Sequence, residues 1–180
     1  MEMTLVPVDF YDLPIFKTLS RDEVEEIGRL ATPVSFGDGE TLFTEGHGSA
    51  HMDIIWEGGV EISRADHEGA KQVITTIHAK GVVGEMSLMS GSGRSCTGLA
   101  VGQTRSYRIR REDFVALLER GSLAAYKVTY NLAQVMSGRL RSVDAQLIQL
   151  MHERQEHAAE HDKSEEFSDF RQKLFTEWAF

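Results

Sequence analysis

The residues with the chemistry to hold a ligand gather in one stretch, GEMSLMSGSGRSCTG, residues 84–98. It carries one acid, Glu85, one base, Arg94, and a run of glycines and serines, in a chain whose formal net charge is −9. The stretch is too polar for a core strand and too rich in glycine for a long helix, so it reads as a loop. If Gly84 ends a strand and EMSLM begins a helical turn, the first amides of that turn lack intrahelical acceptors and form an anion site. Arg94 can return across the loop and offer a planar fork to a phosphate. Glu85 is then the odd member, because a carboxylate repels phosphate. It fits a ligand with a hydroxyl donor close to its phosphate, as a ribose has. An acid for a sugar, with an arginine and backbone amides for a phosphate, describes a nucleotide.

The elements around this loop follow two periods. Two helices are expected to open the chain; in LSRDEVEEIGRLA, Ser20 and Glu23 form a capping box ahead of the apolar spacing Val24, Ile27, Leu30. From Pro33 short strands follow: PVSF, TLF, MDIIW, GVEIS, KQVITTI, CTGLAV and RSYRI, punctuated by Gly39, Gly46, Gly58, Gly59, Gly69, Gly81 and Gly102. Many short strands at such intervals predict a mainly β protein with flanking helices, its strands forming an antiparallel jelly roll or barrel. After Ile109 the helical period returns in REDFVALLERG, ending on Gly121, and Ser122 caps a long helix from Leu123 to about Arg154. Ala133, Met136, Leu140, Val143, Leu147 and Leu150 form an a/d seam along it of about two and a half heptads, which predicts a homodimer through residues 123–152. The alternative is a stripe packed on its own barrel.

The rest of the composition bounds the class. A chain of 180 residues, 41% hydrophobic, suits one domain with appendages. One cysteine, Cys96, and a start without a basic, apolar leader predict a cytoplasmic protein, and no run approaches the roughly 18 apolar residues of a membrane span. A sequence pI near 5.2 argues against a nucleic-acid surface. The organisation expected is helices over 1–32, a jelly roll over 33–110 with the binding loop at 84–97, helices over 111–154, and a charged linker with an amphipathic tail over 155–180. In that tail Phe167, Phe170, Leu174, Phe175 and Trp178 share one helical face, a candidate contact for a protein partner through 167–178.

GEMSLMSGSGRSCTGLA resembles the phosphate-binding cassette of cyclic-nucleotide-binding domains, of the type in catabolite activator protein and the regulatory subunit of protein kinase A. FKTLSRDEVEEI, VSFGDGETLFTEG and IIWEGGVEI are similar to that family's N-terminal helices and first strands, so the likeness covers roughly residues 12–150 in continuous order. The resemblance implies a jelly-roll (double-stranded β-helix) fold, no enzymatic activity, and cAMP or cGMP as ligand rather than a cofactor. It assigns the ribose 2′-hydroxyl to Glu85 and the cyclic phosphate to Arg94. The turn at Gly84, the amides of Met86 and Ser87, and Ser95 complete the cradle, while Val83, Cys96 and Val73 line the base or sugar. Arg139, Ser142 and Val143 fall where the family's long helix approaches the base as a lid. Ser95 beside the arginine leans towards cAMP, since a threonine there accompanies guanine preference in the family.

Some positions depart from that pattern. Val83 stands where an aromatic residue is common, and Gly98 where a β-branched one is usual, which weakens the strand. After Arg154 only residues 155–180 follow, short of an independent domain on the order of 50 residues and without a basic recognition helix, so DNA is not an expected partner. Taken alone, Glu85 and Arg94 would make a surface ion pair worth little; the flanking glycines and upstream motifs favour the binding loop. A retained fold with a degenerate pocket, acting as a scaffold, is the alternative function. A metal enzyme is the rival class. HAAEH, residues 157–161, has the spelling of an inverted zinc-peptidase motif but no third ligand, and His47, His51 and His78 lack the cupin spacing. GSGRSCTG lacks the lysine of a P-loop, and Cys96 reads as a packing residue.

Overall fold

The computed structural model describes residues 8–48 and 50–158. The chain divides into two compact units, Met1–Val135 and Met136–Phe180. The first opens with two short 3-10 turns, Val8–Asp12 and Pro14–Phe16, where a first helix was expected. Pro14 explains the interruption, because a residue ahead of proline is driven out of the helical region, and Leu13 sits at ψ 138°. Helix α1 (Arg21–Gly28) begins at the predicted capping box: Ser20 and Glu23 each accept the other's backbone N–H, at 3.4 and 2.6 Å.

Six antiparallel strands follow: β1 (Thr32–Phe36), β2 (Thr41–Phe43), β3 (His51–Ala65), β4 (Lys71–His78), β5 (Val82–Val83) and β6 (Thr97–Arg110). They form a jelly-roll sheet ordered β1-β6-β3-β4, with β2 on β6 and β5 on β3. MDIIW and GVEIS belong to one strand, β3, and CTGLAV and RSYRI to another, β6, so Gly58, Gly59 and Gly102 do not separate strands there. Between the pairs Glu57↔Arg105 and Gly59↔Val101 the β6 side carries the longer run, a bulge that bends both strands and lets each pair on either side of it.

The bend divides the interior in two. Met52, Ile54 and Ile109 pack with Phe10, Phe16, Val24, Ile27, Phe114, Ala125, Val128 and Leu132 of the helices. Phe36, Leu42, Phe43, Ile55, Val60, Val83 and Ala100 form a second cluster, with Ile62, Ile77 and Cys96 at its margin. Helix α2 (Glu85–Ser90) leaves β5, α3 (Arg111–Glu119) leaves β6, and α4 (Leu123–Ala158) starts after Gly121, its Ala125 N–H donating to Ser122 Oγ at 3.2 Å. Within the first unit α4 buries Ala124, Ala125, Val128 and Leu132 and leaves Tyr126 and Tyr130 exposed. Of the predicted seam, Leu140, Val143 and Leu150 are exposed in the second unit. HAAEH and the aromatic tail 167–178 lie outside the residues whose side chains are described.

Candidate functional site

Chain geometry first determines where α2 begins. Gly84 ends β5 in the left-handed region, at φ 78°, and a Cβ there would lie 2.3 Å from Arg94 Nη1 and 2.6 Å from the His51 carbonyl oxygen. Conformation and crowding both require glycine. Glu85 opens α2 and is buried with Ser87 and Leu88, whereas Met86 is half exposed. The Leu88 N–H donates to the Gly84 carbonyl at 3.2 Å, so the amides of Glu85, Met86 and Ser87 precede the first bond within the helix.

The loop after α2 returns Arg94 to this point. Its backbone is tied in both directions to the segment between β2 and β3: Gly46 N–H donates to the Arg94 carbonyl at 2.8 Å, and Arg94 N–H to the His47 carbonyl at 3.0 Å. Arg94 is only 3% exposed. Nη1 donates to the His51 carbonyl at 2.8 Å, and the guanidinium carbon stands 4.5 Å from the centroid of the Phe43 ring. Nε and Nη2 are buried and have no hydrogen-bond partner among the described residues. Burial pushes the Arg94 guanidinium below its ordinary pKa, opposed by the Asp53 carboxylate. A buried guanidinium with two unanswered donors is costly by itself and fits a phosphate, whose oxygens accept such a fork.

Below the loop lies a polar cluster that the sequence reading missed. Asp53 is fully buried on β3; Ser106 Oγ donates to its Oδ1 at 2.9 Å, and Arg108 Nε and Nη2 donate to Oδ1 and Oδ2 at 3.0 and 3.1 Å. His51 Nε2 stands 3.2 Å from Oδ2. Burial pushes the Asp53 carboxyl up, but the His51 imidazole and Arg108 guanidinium outweigh it and hold it below the usual carboxylate range. An aspartate inside the apolar run MDIIW was the available signal, since buried charges come paired.

Of the predicted residues, Val83, Gly84, Glu85, Ser87 and Arg94 converge here. Cys96 borders the second apolar cluster, and burial pushes its thiol up. Ser95 is exposed, its Oγ 3.8 Å from Met86 Sδ. Val73 is 56% exposed and pairs with Ser63 of β3, where a register shift separates it from the Ile62↔Thr75 and Val60↔Ile77 pairs. Arg139, Ser142 and Val143 lie beyond Val135 on α4, in the second unit. Among the described residues no group of three His, Cys, Asp or Glu side chains is placed to hold a metal ion, and no helix is long and apolar enough to cross a membrane.

Residues 33–121 match the family model described as "Cyclic nucleotide-binding domain". The cyclic AMP receptor protein of Thermus thermophilus is 29% identical over 134 residues, 74% of this chain and 60% of that protein. The cAMP-dependent protein kinase regulatory subunit of Blastocladiella emersonii is 24% identical over 107 residues, 59% of this chain and 27% of that one. The crystal structure of the Thermus thermophilus catabolite activator protein superposes with a TM-score of 0.67 at 28% identity, covering 76% of this chain and 62% of that one. The chain therefore spans at most about three fifths of the curated relatives named here.

Proposed function

We propose, for a chain that belongs through residues 33–121 to the cyclic nucleotide-binding domain family, that it is a regulatory module whose ligand is a cyclic nucleotide, cAMP before cGMP. The observation that carries the reading is Arg94, buried with Nε and Nη2 unpartnered among the described residues and set across the loop from the buried Glu85. The fork of Arg94 takes the cyclic phosphate, and the amides of Met86 and Ser87 with Ser95 complete its shell. Glu85 accepts the ribose 2′-hydroxyl. Val83, Cys96 and Val73 border the sugar and base.

The output is a population shift. Ligand seated on Arg94 and Glu85 draws the cassette inward and favours one packing of the helices after the barrel over another. Support comes from α4 itself: one continuous helix runs from the core of the first unit into the second, and it carries exposed Leu140, Val143 and Leu150 at heptad spacing. Two chains pairing along 123–152 cover that stripe, and the tail at 167–178 meets a protein partner. Calorimetric titration of the protein with cAMP and with cGMP, alongside Arg94→Ala, tests the ligand. Saturable binding that the substitution abolishes supports the reading, and a folded protein that binds neither nucleotide overturns it. Hydrogen exchange across residues 123–180 unchanged by a bound nucleotide would sink the switch.

A further inference from the structure

The Phe43 ring occupies space that another residue vacates. Phe43 ends β2 and pairs with Gly98 of β6, and both are buried. A Cβ on Gly98 would lie 2.7 Å from Phe43 Cζ and 2.9 and 3.1 Å from its two Cε atoms. Gly98 thus acts as a slot in the strand that admits the ring, in keeping with glycine marking close approach inside a sheet. A β-branched residue at 98 would expel the ring.

The Arg94 guanidinium lies against that ring at 4.5 Å. The two contacts of a guanidinium use different parts of it: an aromatic ring attracts its face, and hydrogen bonds leave from its edge. Phe43 therefore steadies a desolvated cation without consuming an N–H. The edge bearing Nε and Nη2 is left for an anion, while Nη1 is anchored on the His51 carbonyl at 2.8 Å. We propose that Phe43, seated on Gly98, is the positioning residue that preorganises Arg94 for its anion, and that the two form one unit in which the large ring and the missing side chain depend on each other. The proposal rests on Arg94 being the phosphate-binding group.

Four proteins test it: wild type, Phe43→Leu, Gly98→Val, and the double variant, in which the smaller residue at 43 makes room for valine. Two readouts keep the platform separate from the ligand. The first is the Arg94 Nε–Hε signal by NMR without nucleotide, which a stacked ring shifts upfield. The second is cAMP affinity. Phe43→Leu is expected to lose the upfield shift and to weaken cAMP roughly tenfold or more, as losing a desolvated cation–π contact does. Gly98→Val is expected to do the same and to lower Tm. The double variant is expected to recover Tm but neither the shift nor the affinity. A Phe43→Leu or double variant that binds cAMP like wild type would reduce the ring to a space filler and overturn the proposal. If wild type binds no nucleotide, the function proposed above fails, and the Nε–Hε signal alone decides: an unshifted resonance refutes the stacking.

Discussion

Replacing Arg94 by methionine separates what this residue does for the fold from what it does for a ligand. Methionine keeps an unbranched, flexible apolar stem, ends shorter than arginine, and drops the charge with the guanidinium. The variant loses the bond to the His51 carbonyl and the contact with the Phe43 ring. Those are worth about 1.5–3 and about 2 kcal/mol, of which a sulfur–aromatic contact returns up to about 1. It also removes two buried donors without partners among the described residues, each costing about 1–3 kcal/mol. The two sides cancel to within about 3.5 kcal/mol, which for a chain of this size moves Tm by no more than about 14 °C in either direction. Binding has no such compensation. Two charge-assisted bonds to a phosphate, at about 1.5–3 kcal/mol each, correspond to a loss on the order of 10²- to 10⁴-fold in cAMP affinity. Differential scanning calorimetry and isothermal titration of the same preparations read both numbers. A Tm lowered by much more than that limit would show that Arg94 holds the fold together, and cAMP affinity within a few-fold of wild type would remove it from the site.

Three further outcomes follow from the same geometry. Gly84→Ala is strained at φ 78° and drives a methyl into the Arg94 guanidinium, so it is expected to weaken cAMP at least tenfold and destabilise by about 1–3 kcal/mol; unchanged titration would refute the crowding. Asp53→Asn breaks a buried pair and is expected to destabilise by about 3 kcal/mol at neutral pH. Because the Asp53 carboxyl is held below its ordinary range, its stabilisation is complete above the unfolded-state value and fades as pH falls through the folded one. The Tm gap between wild type and Asp53→Asn should therefore shrink below about pH 4 in melts across pH. A gap that widened in acid would reverse the assignment. The Cys96 thiol, pushed up by burial, is expected to react with iodoacetamide at pH 8 more slowly than a free cysteine, and more slowly still with cAMP present; mass spectrometry of the modified peptide reads the rate, and alkylation as fast as a free thiol's contradicts the burial.

What the sequence determined by itself was decided by neighbours along the chain. The capping box at Ser20 and Glu23 closes between residues three apart, and α1 starts there. Gly121 and Ser122 separate α3 from α4 through bonds made within a few residues. The cassette was legible for a related reason: Gly84, Glu85, Ser87 and Arg94 lie on one short turn and loop, so residue type and spacing already confine them to one place. The interruption at Pro14 is local too: proline keeps Leu13 out of the helical region, so 3-10 turns stand where the first of the two opening helices was expected.

Only the tertiary structure decided the remainder, because its contacts join segments that local preference leaves independent. Gly58, Gly59 and Gly102 read as turns, yet pairing between two long strands carries the chain through them as a bulge. Asp53 is tolerable in an apolar strand because Ser106 and Arg108 arrive from β6 to satisfy it. Gly98, a weak point when read along its own strand, is the slot for a ring from β2 that carries the guanidinium of a third segment. Spacing could single out Arg94 as the candidate for an anion. What holds it in place is packing density, and packing is a property of segments brought together.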